Sequence, residues 1–186
     1  MEHISREKAY EILEKYMKGE MYIEHSKAVE AIMRKVAEKL EPTNVEFWGV
    51  CGLLHDLDEE HCEWKEHPET HGPKSVEILK NEGIDDKELF DAIMAHNPKC
   101  GKKASNKLEY ALLASDPMSG FIKAIAQIYP DKKVSSVKSK SVLKRFKEIR
   151  FAAGANREYM ISIERTGMPY AEFTDMALDA MKDFAY

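Results

Sequence analysis

Apolar residues recur at helical spacing through most of the chain, and no stretch has the strict apolar–polar alternation of a half-buried strand. The clearest case lies between residues 25 and 40, where steps of three and four residues draw one stripe along a helix. The stripe consists of His25, Val29, Ile32, Val36 and Leu40. The sequence therefore predicts an all-α fold, with a histidine on the apolar face of one helix.

Capping residues and prolines predict where further helices begin and end. Candidate N-caps precede three apolar segments, at Thr43, Thr70 and Asp85. We expect a helix to end at Gly83, and the dipeptide Asp116–Pro117 to separate one helix from the next. The predicted helices span residues 25–40, 43–55, 70–83, 85–96, 106–115, 118–128, 141–151, 156–165 and 169–184. We expect about nine or ten helices in a single domain, residues 1–186.

Composition limits the expected compartment and partners. The chain has 186 residues, a net charge of −5 and no apolar run near the ~20 residues that span a bilayer. We therefore expect neither a membrane nor a nucleic acid as partner. Three cysteines without a Cys-x-x-Cys pair favour a reducing compartment, and a charged N-terminus without an apolar core region is unlike a secretory signal. These features predict a cytoplasmic protein and leave its oligomeric state open.

Three predicted helices end in a side chain that can bind a metal. The ends read Leu53-Leu54-His55-Asp56, Met94-Ala95-His96 and Ala114-Ser115-Asp116. The apolar residues before each polar group should anchor the helix in the core, so the polar group emerges at the edge of a packed interior. A buried carboxylate or imidazole costs several kcal/mol there unless it is paired or metal-bound. His25 and His71 lie near predicted helix starts and complete a set of candidate ligands.

This ordered set resembles the HD-domain metal-dependent phosphohydrolase superfamily, whose pattern is a His, a His-Asp dipeptide and a later Asp, all on helices. His25, His55, Asp56 and Asp116 match that pattern one for one. The apolar segments that precede the dipeptide and the last aspartate are also similar to those of the family. The resemblance implies an HD-type helical bundle over about residues 20–130, with a C-terminal helical extension, about residues 131–186, packed on it.

Dinuclear branches of that superfamily add two histidines between the dipeptide and the final aspartate, where this chain has His71 and His96. The resemblance thus leaves two arrangements open. One ion would use only the four residues of the basic pattern, whereas two ions would need Asp56 to bridge, with His71 and His96 on the second ion. Imidazole and carboxylate ligands suit divalent transition metals. We expect Fe or Mn, with Zn, Co or Ni as alternatives.

The resemblance implies an enzyme that hydrolyses a phosphomonoester or phosphoanhydride, and we expect the substrate to be a nucleotide. A bound metal lowers the pKa of water from 15.7 toward about 7 and so generates hydroxide at neutral pH. Asp56 and His55 are the expected catalytic residues. Two alternatives stay open: an HD-type di-iron oxygenase, whose ligand set is similar, and a non-catalytic sensor that binds a nucleotide.

Candidate substrate contacts come from the basic residues after position 131. Residues 132–150 hold eight Lys and Arg against one Glu, whereas the preceding part of the chain is acidic. We name Lys140 and Lys144 as candidate phosphate contacts, although most of this segment is expected to be a solvated face. Arg157 lies near a predicted helix start, where a guanidinium and backbone N–H groups can together hold an anion. It is the third predicted contact.

The polar segment 57–70 is expected to be a loop and leaves two further hypotheses open. One of its carboxylates is a candidate proton relay, beside the plainer interpretation as a solvated surface; they are Asp58, Glu59, Glu60 and Glu63. The loop also carries His61, Cys62 and His67, which together with His71 offer an isolated zinc site. Structural zinc sites usually contain at least two cysteines or a regular paired spacing, which disfavours that site.

Overall fold

The computed structural model describes residues 3–186, and these form nine α-helices. The helices are α1 (Arg6–Tyr16), α2 (Glu20–Leu40), α3 (Val45–Leu54), α4 (Pro73–Asn81), α5 (Lys87–His96), α6 (Lys107–Ala126), α7 (Ser139–Phe146), α8 (Arg157–Ile161) and α9 (Tyr170–Ala180). The described residues form no strand, only an isolated bridge between Lys133 and Ala185. The predicted all-α fold is confirmed. Within these residues no helix is both long and apolar enough to span a membrane.

Two long helices, α2 and α6, lie at the centre of the fold. Helix α2 packs against α3, α6 and α9, while α6 also packs against α5 and α8. The predicted stripe on α2 lies in the core, with Val29, Ile32 and Val36 fully buried. Burying each such side chain stabilises the fold by about 1.5–3 kcal/mol. The helices after residue 130 therefore cover the same core as the helices before it.

The predicted break at Asp116–Pro117 is wrong. Helix α6 continues through Pro117, although a proline inside a helix costs about 3 kcal/mol. Leu112 before it and Phe121 after it are both completely buried, so the burial of one continuous apolar face offsets that cost. Asp116 consequently lies in the middle of a helix rather than at its end.

None of the three predicted N-caps caps its helix. Thr43 lies in a 3₁₀ turn before α3 and makes no capping bond. Thr70 donates its hydroxyl to the His67 carbonyl, and α4 begins three residues later. Asp86, not Asp85, caps α5 by accepting from the Leu89 amide. In each case a helix exists as predicted but begins at a later residue, and α4 also ends at Asn81 rather than at Gly83.

Two further helices, α1 and α7, depart from the predicted ranges. Helix α1 lies before the first predicted helix and is capped by Ser5, whose hydroxyl accepts from the Lys8 amide. Helix α7 ends at Phe146 rather than at residue 151. Residues 147–156 form a series of turns before α8, which we call the 147–156 loop. This loop lies next to the candidate site described below.

Candidate metal centre

Four of the predicted ligands meet between α2, α3 and α6. His25 projects from α2, His55 and Asp56 directly follow α3, and Asp116 comes from α6. Each offers one ligand atom within 4.8 Å of the others. The His25 Nε2 atom is 3.3 Å from an Asp56 oxygen and 3.2 Å from an Asp116 oxygen, and His55 Nε2 is 3.2 Å from Asp56 Oδ1. The structure thus brings together the four residues of the basic sequence pattern.

Asp56 also belongs to a second group, with His71 and His96. The Nε2 atoms of His71 and His96 are 3.2 Å and 3.4 Å from Asp56 Oδ1, and 2.9 Å from each other. Helix α5 ends at His96, and His71 immediately precedes the turn into α4. The Asp56 carboxylate therefore lies between the two groups, as a bridging ligand would.

In all four histidines the Nδ1 atom contacts a protein group, and Nε2 faces the cluster. His55 Nδ1–H donates to the Gly52 carbonyl at 2.8 Å, and His96 Nδ1–H donates to the Ile93 carbonyl. Both carbonyls belong to the last turn of a helix, where they lack an intrahelical partner. A carbonyl only accepts, so Nδ1 carries a proton, and in the neutral imidazole the Nε2 lone pair is therefore free. This is the tautomer that a metal ligand needs.

Two side chains hold the other two imidazoles. Ser119 Oγ donates to the Asp116 carbonyl, so it accepts from His25 Nδ1–H, which lies 3.0 Å away. His71 Nδ1–H donates to Asp58 Oδ1 at 2.8 Å. Asp58 was expected only as one of several loop carboxylates, and Ser119 was missed. The signal for Ser119 was its position three residues after Asp116, on the same helix face.

Asp58 is completely buried and connects His71 to the start of α4. Its Oδ2 atom accepts from the backbone amides of Gly72 at 2.7 Å and Ser75 at 3.2 Å. The Asp58 amide in turn donates to the Ser75 hydroxyl. One carboxylate thus does what was predicted for Thr70, since it caps α4, and also orients a candidate metal ligand.

The cluster attracts positive charge. Burial alone would lower the histidine pKa values, but the nearby carboxylates outweigh it and raise the pKa of His25 to about 9 and that of His55 to about 10. The same balance, with Asp56 and Asp58 as partners, raises the pKa of His71 to about 12. Burial opposes the ionisation of Asp116, yet its hydrogen bonds to histidines hold its pKa well below the usual range.

Buried atoms at the centre of the cluster lack hydrogen bonds. His55 Nε2 and Asp56 Oδ1 are buried without a hydrogen-bond partner among the described residues, although such atoms are nearly always paired. Both are ligand atoms, and a cation between them would satisfy both. The donor set, four imidazoles and two carboxylates, therefore fits a divalent transition metal.

The comparisons with known proteins agree with this geometry. A family model described as HD domain matches residues 22–120, more than half of the chain. The chain belongs to the HD-domain family. HD domains bind divalent metals and indicate a superfamily of metal-dependent hydrolases. Searches among curated proteins and among solved structures found no match.

In the loop that follows the His-Asp dipeptide of this HD domain, the carboxylate of Glu59 differs from those of Glu60 and Glu63. Glu60 accepts from the amides of Lys18 and Gly19, and Glu63 is exposed. Glu59 is half-buried, and its burial, with the negative charge of Asp56, raises its pKa to about 7. Of the four loop carboxylates, Glu59 thus lies near the cluster without a structural role like that of Asp58 or Glu60.

The isolated zinc site proposed for the loop does not form. The His61 imidazole contacts the Tyr16 carbonyl, and His67 pairs with Glu69. Among the described residues, Cys62 groups with His71 and Asp58 only. All three cysteines are free, as the lack of a Cys-x-x-Cys pair predicted.

The three predicted substrate contacts are not part of the metal-ligand groups. Lys140 and Lys144 are exposed on α7. The Arg157 guanidinium donates to four carbonyls of the 147–156 loop, those of Glu148, Phe151, Ala152 and Ala155. The N–H groups of its two Nη atoms are therefore used within the protein, whereas its buried Nε has no partner among the described residues. A direct contact between Arg157 and substrate stays a prediction.

Replacing Asp58 with Asn should weaken metal binding by the group of Asp56, His71 and His96. If the Asn oxygen keeps the two backbone amides, its NH₂ group faces His71 Nδ1 and moves the imidazole proton to Nε2, the ligand atom. We expect the affinity of that group to fall by about 10–100-fold, as is typical for such outer contacts. Calorimetric titration of the metal-free protein with Mn²⁺ measures this. Asp85→Asn, an exposed carboxylate, is the matched control, and an Asp58→Asn titration identical to wild type would contradict the assignment.

Proposed function

We propose that this chain is a metal-dependent phosphohydrolase that acts on a phosphomonoester or phosphoanhydride, with a nucleotide as the expected substrate. The observation that carries the proposal is the position of the Asp56 carboxylate between two groups of histidines. In this proposal two divalent ions, Fe or Mn, are held by His25, His55, Asp56, His71, His96 and Asp116. Bound there, the ions would lower the pKa of water and neutralise charge on the phosphoryl oxygens.

The residues around the ions have distinct tasks in this proposal. His25, His55, Asp56 and Asp116 would hold one ion, and Asp56, His71 and His96 would hold the other. The carbonyls, Ser119 and Asp58 that hold each Nδ1 turn the Nε2 atoms toward the cluster. The site is thus organised before any ion or substrate arrives, which lowers the cost of reaching the reactive geometry.

Charge favours an anionic substrate at this centre. The six ligands include only two carboxylates, whose charge two divalent ions more than neutralise. A phosphoryl group would therefore be attracted although the chain as a whole carries a net charge of −5. In this proposal the metal ions, rather than basic side chains, supply most of the attraction for the phosphoryl group. The exposed positions of Lys140 and Lys144 are consistent with this.

Glu59 is the side chain that we assign to proton transfer. It is half-buried, and its burial together with the negative charge of Asp56 raises its pKa to about 7, whereas Asp58 and Glu60 are occupied by backbone amides. Protonated, it can give its proton to a leaving oxygen; ionised, it can take one from water.

An oxygenase is the second candidate, because the same four histidines and two carboxylates suit a di-iron centre as well. A sensor that binds a nucleotide without turning it over is the third. A hydrolase releases phosphate, an oxygenase consumes oxygen and a sensor does neither, so one assay series separates the three.

The test is a panel of nucleotides and simple phosphate esters, offered to protein purified without chelator and loaded with Fe or Mn. We expect metal-dependent release of phosphate, absent from Asp56→Ala, which should also lose its metal. Circular dichroism checks that this variant keeps its helices. Oxygen consumption without phosphate release would replace the proposal with the oxygenase, and tight nucleotide binding without turnover would replace it with the sensor.

Glu59→Gln should leave the metal content unchanged and lower kcat by about 10²–10⁴-fold, the usual contribution of a positioned acid or base. The Gln side chain keeps the size but cannot exchange a proton. Steady-state kinetics gives kcat for this variant and for the control Glu63→Gln, which replaces an exposed carboxylate of the same loop. Equal kcat values for the two variants would assign proton transfer elsewhere.

A further inference from the structure

A cavity of about 350 Å³ lies directly beside the first group of ligands. It is lined by His25, Asp116, Pro117, Gly120, Ala152, Gly154 and Ala155. Its volume is in the lower part of the usual range for small-molecule sites, about 300–1,000 Å³. The cavity opens on the His25 and Asp116 side of the centre, so a molecule bound there would reach the candidate metal centre.

The cavity exists because its walls lack side chains. Gly120 lies four residues after Asp116 on α6, which places both on one helix face. A Cβ atom added at Gly120 or at Gly154 would meet no atom within 4 Å. One wall is thus the bare face of α6 next to Asp116, and the opposite wall is the 147–156 loop. That loop lies outside residues 22–120, the part of the chain that the HD model matches.

Arg157 holds the loop wall in place from behind. Its guanidinium donates to the Ala152 and Ala155 carbonyls at 2.7 Å and 2.6 Å, and both residues line the cavity. The guanidinium also stacks over the ring of Phe121, 4.5 Å from its centroid, and that ring is fully buried in the core. Ala152 has a φ of +43°, a conformation that costs a non-glycine residue about 1–2 kcal/mol. These bonds tie a strained wall segment to α6.

The chemistry of the walls defines what can occupy the cavity. Apart from His25 and Asp116, the lining consists of proline, alanine and glycine. These residues offer apolar contact and no charge to pair with an anion. Additional phosphate groups placed there would lie beside the Asp116 carboxylate and lose hydration without compensation.

We propose that this cavity holds the uncharged organic part of a phosphomonoester whose phosphoryl group lies at the metal centre, and that Arg157 is a positioning residue for the cavity wall. The inference rests on the proposed hydrolase function and narrows it from esters and anhydrides to monoesters. It assigns Arg157 a role through the loop rather than by contact with the substrate.

The test fills the cavity from both walls. Gly120→Leu and Gly154→Leu should each raise KM for a nucleoside monophosphate by about tenfold or more, as misplaced apolar groups do in a pocket. Inhibition by inorganic phosphate, which has no organic part, should stay unchanged, as should the metal content. Ala153→Leu is the control, because Ala153 is exposed on the same loop and does not line the cavity. KM values in both glycine variants equal to that of the control would overturn the proposal.

Arg157→Lys separates positioning from direct contact. Lysine keeps the charge but lacks the planar fork that reaches several carbonyls. We expect this variant to raise KM for the monophosphate as the glycine variants do, with phosphate inhibition unchanged. A weaker phosphate inhibition in Arg157→Ala that Arg157→Lys restores would show a direct charge contact and refute the positioning role.

Substrate charge gives an independent comparison. The wild-type protein should have a kcat/KM for a nucleoside monophosphate at least about tenfold above that for the matching triphosphate, since the cavity offers no charge to pair with the extra phosphates. Equal values, or a preference for the triphosphate, would overturn the assignment.

The cavity can still be tested if the hydrolase proposal fails. If no ester is hydrolysed, binding of the monophosphate to the metal-loaded protein can be measured by calorimetry without turnover. Weaker binding in Gly120→Leu and Gly154→Leu, but not in Ala153→Leu, would still support the cavity. Equal binding in all three variants, or no binding to the wild-type protein, would refute it.

Discussion

A buried carboxylate among four imidazoles is the interaction on which the rest of the site depends. Asp56 is 8% exposed, and its two oxygens lie within 3.2–3.4 Å of nitrogens from His25, His55, His71 and His96. Such a charge costs several kcal/mol to bury unless it is compensated. The compensation comes from α2, α5, the end of α3 and the segment before α4, so the fold must bring these elements to one point.

The backbone does much of the work of orienting the ligands. His55 and His96 both lie at helix ends, and each donates to a carbonyl three residues earlier that the helix leaves without a partner. The unpaired carbonyls that every helix leaves at its C-terminal end thus set the imidazole tautomer. Where no helix end is available, buried side chains take over, Ser119 for His25 and Asp58 for His71. The orientation of the metal ligands therefore depends in part on where the helices end.

The residues of the cluster could be predicted from the sequence because most of them are polar groups next to an apolar helical segment and because their order resembles the HD-domain pattern. Their bonding partners could not, since these depend on which elements pack together. Asp58 replaced Thr70 as the cap of α4 because the chain between them folds back through turns that spacing does not reveal. Pro117 predicts a helix break because its local penalty is visible in the sequence, whereas the core contacts that offset it are not. Arg157 was expected at a ligand for the same reason: its charge is visible, and the carbonyls that bind it are not.

The sharing of Asp56 between two groups of ligands is tested most directly by anomalous diffraction from crystals of the Mn-loaded protein. We predict two peaks, both within bonding distance of the Asp56 carboxylate, one beside His25, His55 and Asp116 and the other beside His71 and His96. A single peak at saturating metal, bound by the first group alone, would contradict a bridging Asp56.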